Sequence, residues 1–169
     1  MKLKMIKKLS ILVLLLAIIL INPITVVYGA NINVELISDT QEYNIDETDE
    51  PIIVKIKLGD FVSIQEGITL AYSGTIEYDK NIFNKVEATG KNEWNATYND
   101  SNNMILGDTI NATSNKEVAE LKFYVNKENV TTNQNTAIKL NDIIISDGNF
   151  EIKANKEIEM KILSSKREF

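Results

Sequence analysis

From Asn31 onward, apolar and polar residues alternate along most of the chain. In "NINVELI", Ile32, Val34 and Leu36 fall on one face. In "PIIVKIKL", Ile52, Val54, Ile56 and Leu58 do the same. "LAYSGTIEY" places Leu70, Tyr72, Gly74, Ile76 and Tyr78 on one face and Ala71, Ser73, Thr75 and Glu77 on the other. "VAELKFYV" sets Ala119, Leu121, Phe123 and Val125 against Glu120, Lys122 and Tyr124, and "EIEMKIL" groups Ile158, Met160 and Ile162. Neighbouring side chains on a strand point to opposite faces, so this period of two predicts half-buried antiparallel strands. Polar stretches separate them: "SDTQEYNIDETDEP", "ATGKNEWNATYNDSNN", "NKENVTTNQNT" and "SDGN". The last holds Asp147-Gly148, a tight-turn pair. No helical period persists in this part; "TSNKE" has room for one turn. About nine short strands with turn signals and no helices predict an all-β fold, a single antiparallel β-sandwich. No Pro- or Gly-rich linker divides it.

The first 30 residues are patterned differently. Lys2, Lys4, Lys7 and Lys8 precede an unbroken apolar run from Ile11 to Ile21, and small residues follow at Gly29 and Ala30. This is the layout of a cleaved secretory signal, and the run is short for a membrane span. The expected organisation is a signal over residues 1–30, a β-sandwich over 31–163 and a charged tail over 164–169. Four of the 18 basic residues and none of the 24 acidic ones lie in the signal, which leaves the remainder at a net charge of −10. Such a surface repels nucleic acid and anionic lipid. The chain has no cysteine, so neither a disulfide nor a lipid-modified Cys is available. The end shows no Leu-Pro-x-Thr-Gly motif and no second apolar segment. The expectation is a secreted, extracellular bacterial protein with no membrane insertion after cleavage.

Candidate chemistry is sparse. Without His or Cys, Ser-His-Asp and Cys-His nucleophiles and the usual zinc ligands are excluded. Carboxylates crowd into loops such as "DETDE", where a charge run reads as a solvated segment rather than a glycosidase pair. Asp46, Asp49, Asp100 and Asp108 are oxygen donors, but "DSNNMILGD" lacks the spacing of a calcium loop. No metal, cofactor or catalytic residue is expected. Trp94 has two readings. Exposed beside Tyr98, it stacks on a sugar ring; half-buried, it packs over the end of the sandwich.

The order of several motifs resembles the cohesin family, modules that hold dockerin-bearing enzymes in bacterial polysaccharide-degrading complexes. "EYDKNIF" looks like its Tyr-Asp-Pro element, with Lys80 where Pro is usual. "EPIIVKIKLGDF", "VEATGKNEWNATYNDSNNMILGDTI", "VAELKFYV" and "TAIKLNDIIISDGNFE" resemble the segments around it. The resemblance runs through nearly all of residues 31–163. It implies a nine-stranded jelly-roll sandwich shared with carbohydrate-binding modules. It also implies a partner-binding set of Ser73, Thr75, Glu77, Tyr98 and Asp108, with Ala71 and Ser73 standing where the family often has Asn and Asp. The leading expectation is a non-catalytic module that recruits a dockerin-type protein, or binds polysaccharide, in polysaccharide catabolism. A direct carbohydrate-binding module, using Trp94 and Tyr98, is the rival. A structural domain of a cell-surface assembly is the third reading.

Overall fold

A computed structural model describes residues 32–60, 69–110, 112, 116–148 and 151–165. The expected signal segment lies outside the described residues, as do Thr113–Asn115 of "TSNKE" and the last four residues of the tail. Ten strands form in chain order: β1 (Asn33–Ser38), β2 (Glu42–Asn44), β3 (Ile52–Gly59), β4 (Leu70–Glu77) and β5 (Phe83–Gly90). Then follow β6 (Asn95–Asn99), β7 (Met104–Thr109), β8 (Lys116–Val125), β9 (Gln134–Ser146) and β10 (Glu151–Leu163). They build two sheets, one ordered β1-β3-β8-β5 and one ordered β2-β10-β9-β4-β7-β6.

The alternation in the sequence is what joins the sheets. Val34, Ile52, Val54, Ile56, Leu58, Leu121 and Phe123 come from the four-stranded sheet. Leu70, Tyr72, Ile76, Ile105, Ile138, Leu140, Ile143, Ile145 and Ile162 come from the six-stranded one. All are buried in one core. Phe123 lies at its centre, its ring 5.4 Å from Phe83 and 5.6 Å from Tyr78 in edge-on contacts, the arrangement that aromatic quadrupoles favour. Core burial of this extent is what stabilises a domain that has no disulfide.

Among the described residues the strands number ten, not nine. β2 is three residues long and sits in a segment whose polar composition reads as loop. It also pairs parallel to β10, with Lys161 opposite Glu42 and Leu163 opposite Asn44, whereas the remaining pairs are antiparallel. Three residues cannot display a period of two, and tertiary pairing decides their conformation. Just beyond β10 the chain stays attached. Ser164 N donates to Asn133 Oδ1 at 2.8 Å, and Ser165 N donates to Asp46 Oδ2 at 2.7 Å.

Candidate interaction face on the six-stranded sheet

β4 ends at the Tyr-Asp pair for a local reason. Asp79 Oδ1 accepts from Asn81 N at 2.8 Å, and the Asp79 carbonyl accepts from Ile82 N and Phe83 N at 3.1 and 2.9 Å. Side chain and backbone of one residue therefore fix the turn into β5, as Asp does when it mimics a backbone turn. Tyr78 points inward onto Phe83 and Phe123. The outward residues of β4 are left as a row in the middle of the six-stranded sheet.

The register extends that row sideways. Asp108 and Ala71 are paired, with Asn95 beyond one and Ser146 beyond the other. The next row is Thr97, Leu106, Ser73 and Ile144, and the third is Asn99, Met104, Thr75 and Asn141. Of these outward positions on β6, β7, β4 and β9, Asp108 alone is charged, and it accepts from Asn95 Nδ2 at 2.7 Å. Leu106 is 49% exposed at the centre. Ile110, which follows β7 in the same parity, is 62% exposed. An isolated exposed apolar residue needs no explanation; an uncharged field with one at its centre is a binding-surface pattern.

β9 breaks the flatness at one side. Asp142 adopts φ 50, and the pairing with β4 shifts register between Ser73 and Thr75. Its N–H donates to Asn155 Oδ1 of β10 at 2.8 Å. This is a β-bulge, the device that bends a strand and re-aims its side chains. An open groove forms there, lined by Asp142, Ile144, Lys153, Ala154 and Asn155.

The structure brings Ser73, Thr75, Glu77 and Asp108 onto one outer face. It does not bring Tyr98 there. On β6 the outward residues are Asn95, Thr97 and Asn99, and Tyr98 has the opposite parity. Its hydroxyl lies 3.3 Å from the Tyr78 hydroxyl and donates to Asn103 Oδ1 at 3.2 Å. Burial, the bond to Tyr78 and nearby Asp100 together push the Tyr98 hydroxyl above the usual phenol range. Trp94 is 5% exposed, with its ring 5.6 Å from the Tyr72 ring. Packing against the core, rather than a free stacking surface, is what the structure gives it. The aromatic pair required for sugar stacking is therefore turned inward at both members.

Leu106, Ile144, Asn95 and Asp142 belong to the face without having been singled out from the sequence. "NMILGD" and "NDIIIS" each hold several consecutive apolar residues, so parity alone does not say which point outward. The bulge adds a residue to β9 and shifts the parity partway along it. Among the described residues no group of three or more acidic side chains gathers to hold a metal ion.

The architecture defines a class: a two-layer β-sandwich whose six-stranded sheet carries a charge-poor outward field on β6, β7, β4 and β9. Within that class the fold is cohesin-like. The cohesin module of a family 33 glycoside hydrolase from Clostridium perfringens aligns with 80% of this chain and 97% of its own length. Its TM-score is 0.56 and its identity 8%. A non-cellulosomal cohesin from the archaeon Archaeoglobus fulgidus aligns at TM-score 0.45 and 15% identity, over 78% of this chain and 92% of its own. AggA, the major subunit of type I aggregative adherence fimbriae from Escherichia coli, aligns at TM-score 0.45 and 7% identity, over 80% and 96%. At such identities the likeness is one of fold. No protein-family model and no curated protein matches the sequence.

Proposed function

We propose that this chain is a secreted, non-catalytic binding module that takes a protein partner on the outer face of β6, β7, β4 and β9, in the manner of a cohesin receiving a dockerin. One observation carries the reading: a contiguous, largely uncharged field around exposed Leu106 on β7, in a sandwich whose fold is cohesin-like. A flat antiparallel face accepts a helix without desolvating charge, and charged residues are depleted at the centres of protein interfaces. A role in extracellular polysaccharide breakdown follows from that analogy of fold. Direct sugar binding has less support, because Trp94 and Tyr98 are packed inward.

Ser73 is the position to test. Ser73→Arg places a long cation at the centre of the face. Surface substitutions usually change stability by within about 0.5 kcal/mol. Displacing a docked protein and burying an unpaired charge should cost at least ~2 kcal/mol of binding. The experiment is a pull-down from the producer's secretome, with and without Ca²⁺, followed by titration calorimetry of the retained protein. Calcium-dependent retention that Ser73→Arg abolishes supports a dockerin-type partner. Retention unchanged by Ser73→Arg, together with binding to insoluble polysaccharide, overturns the reading.

A further inference from the structure

The two outer faces of the sandwich carry charge in different ways. On the four-stranded side every carboxylate along the strands lies beside a lysine. Lys57 Nζ is 3.4 Å from Glu35, Lys85 Nζ is 2.5 Å from Glu87, and Lys91 Nζ is 2.8 Å from Glu120. Lys55 Nζ is 3.0 Å from Asp39 and 3.8 Å from Glu117. That face neutralises itself. On the six-stranded side, three carboxylates frame the uncharged field and have no lysine in salt-bridge reach among the described residues. Asp108 holds the Asn95 amide at 2.7 Å, and Glu77 holds the Asn141 amide at 3.0 Å. Asp142 stands at the bulge with its backbone N–H bonded to Asn155. The neighbouring lysines are already engaged. Lys139, opposite Glu77, pairs with Glu157 at 3.6 Å, and Lys153, in the groove beside Asp142, pairs with Glu151 at 3.1 Å.

From this asymmetry we propose that the occupant of the face is a protein surface with a small apolar centre and lysine or arginine around it, steered into place by Asp108, Glu77 and Asp142. The proposal rests on the docking reading above and adds the partner's charge. Complementary rim charges act mainly on the association rate and its salt dependence. They add little once the complex is formed and solvated at its edge. A second copy of this chain is the poorer occupant. The described chain is acidic, and its docking face would meet the same three carboxylates.

The test uses two synthetic helical peptides with the same alanine-leucine contact stripe. One is flanked by lysine and arginine, the other by glutamate. Binding to the immobilised full chain is followed by surface plasmon resonance at low and high ionic strength. The basic peptide should associate faster by at least about tenfold at low salt, an advantage that shrinks as salt screens it. The double variant Asp108→Asn/Asp142→Asn, which keeps both side-chain shapes, should remove most of that advantage and leave the dissociation rate nearly unchanged. Equal binding of the two peptides, no binding of the basic one, or an unaltered advantage in the double variant overturns the proposal. A dimer in sedimentation that Ser73→Arg abolishes overturns it as well, by giving the face to a second copy. The docking reading fails separately. A secretome protein released by Ser73→Arg, but indifferent to salt and to the double variant, leaves the docking face standing while the basic rim falls.

Discussion

Single residues carry several of the close fits. Tyr72 is 3% exposed, and its buried hydroxyl has no hydrogen-bond partner among the described residues. An unmet buried hydroxyl costs about 1–3 kcal/mol. Tyr72→Phe should therefore leave stability unchanged or raise it, read as an equal or higher urea midpoint. Burial also pushes that hydroxyl above the ordinary phenol value of 10.0. A raised folded-state pKa means a contribution fully present below the unfolded value and lost as pH rises through the folded one. Unfolding should thus set in above pH ~10, the unfolded phenol value, and Tyr72→Phe should move the alkaline midpoint upward. Gly107 faces the same ring. A Cβ there would overlap Tyr72, which Trp94 backs. Overpacking of this kind costs about 1–3 kcal/mol, so Gly107→Ala should lower the urea midpoint. Phe123 tests the core. It is fully buried among aromatic rings, and Phe123→Ala should cost ~3–5 kcal/mol in equilibrium unfolding. An unchanged midpoint would mean that β8 presents its other face.

Elements show how far the sequence could be read. β3 and β4 were legible because each is half-buried with strict alternation, Ile52, Val54, Ile56 and Leu58 inward with Ile53, Lys55 and Lys57 outward in β3, and β8 because it alternates from Ala119 to Tyr124 despite the adjacent buried pair Val118 and Ala119. β6 was hidden inside a polar stretch. As an edge strand it buries little, and Asn95, Thr97 and Asn99 face outward. That same half-hidden strand misled the reading of Tyr98, whose direction depends on parity within a strand the pattern did not reveal. The outer face was legible on β4, from Ser73, Thr75 and Glu77, and on β7 at Asp108 through the family resemblance, but not at Leu106 or on β9. Leu106 and Ile144 look like core residues by composition, and only cross-strand register places them outside. The bulge yields an element-scale prediction. Asn155 Oδ1 holds the Asp142 N–H in its left-handed conformation. Asn155→Ala should cost roughly 0.5–1.5 kcal/mol, the net worth of one hydrogen bond. It should also perturb amide resonances of β9 around Ile144 more than those of β3.

At the scale of the whole molecule, the charge pattern along the chain carries the proposal of export. A chain whose first 30 residues hold four lysines and no acid, ahead of a remainder at −10, should appear in culture supernatant beginning at Ala30 or Asn31. N-terminal sequencing of the secreted protein checks this, and recovery only in membranes with Met1 retained would indicate an anchor instead. Absence of cysteine has a practical counterpart. Stability should be indifferent to reductant, so thermal unfolding with and without dithiothreitol should coincide.

The parallel pairing of β2 with β10 has a consequence for how the molecule comes into being. Lys161 meets Glu42, and Ser165 meets Asp46, across separations of 119 residues. Until β10 arrives, β2 has no neighbour and β9 stands as a bare sheet edge. Closing so long a loop is an entropic cost met before any contact rewards it, and sandwiches built on such distant pairings fold in milliseconds to seconds rather than microseconds. A chain folding from its N-terminus therefore leaves both sheet edges open until β10, the last of the described strands, pairs with them. Trp94, buried in the core against Tyr72 of β4, reports closure of the core as a whole, and its fluorescence after rapid dilution from urea should change on that slower timescale.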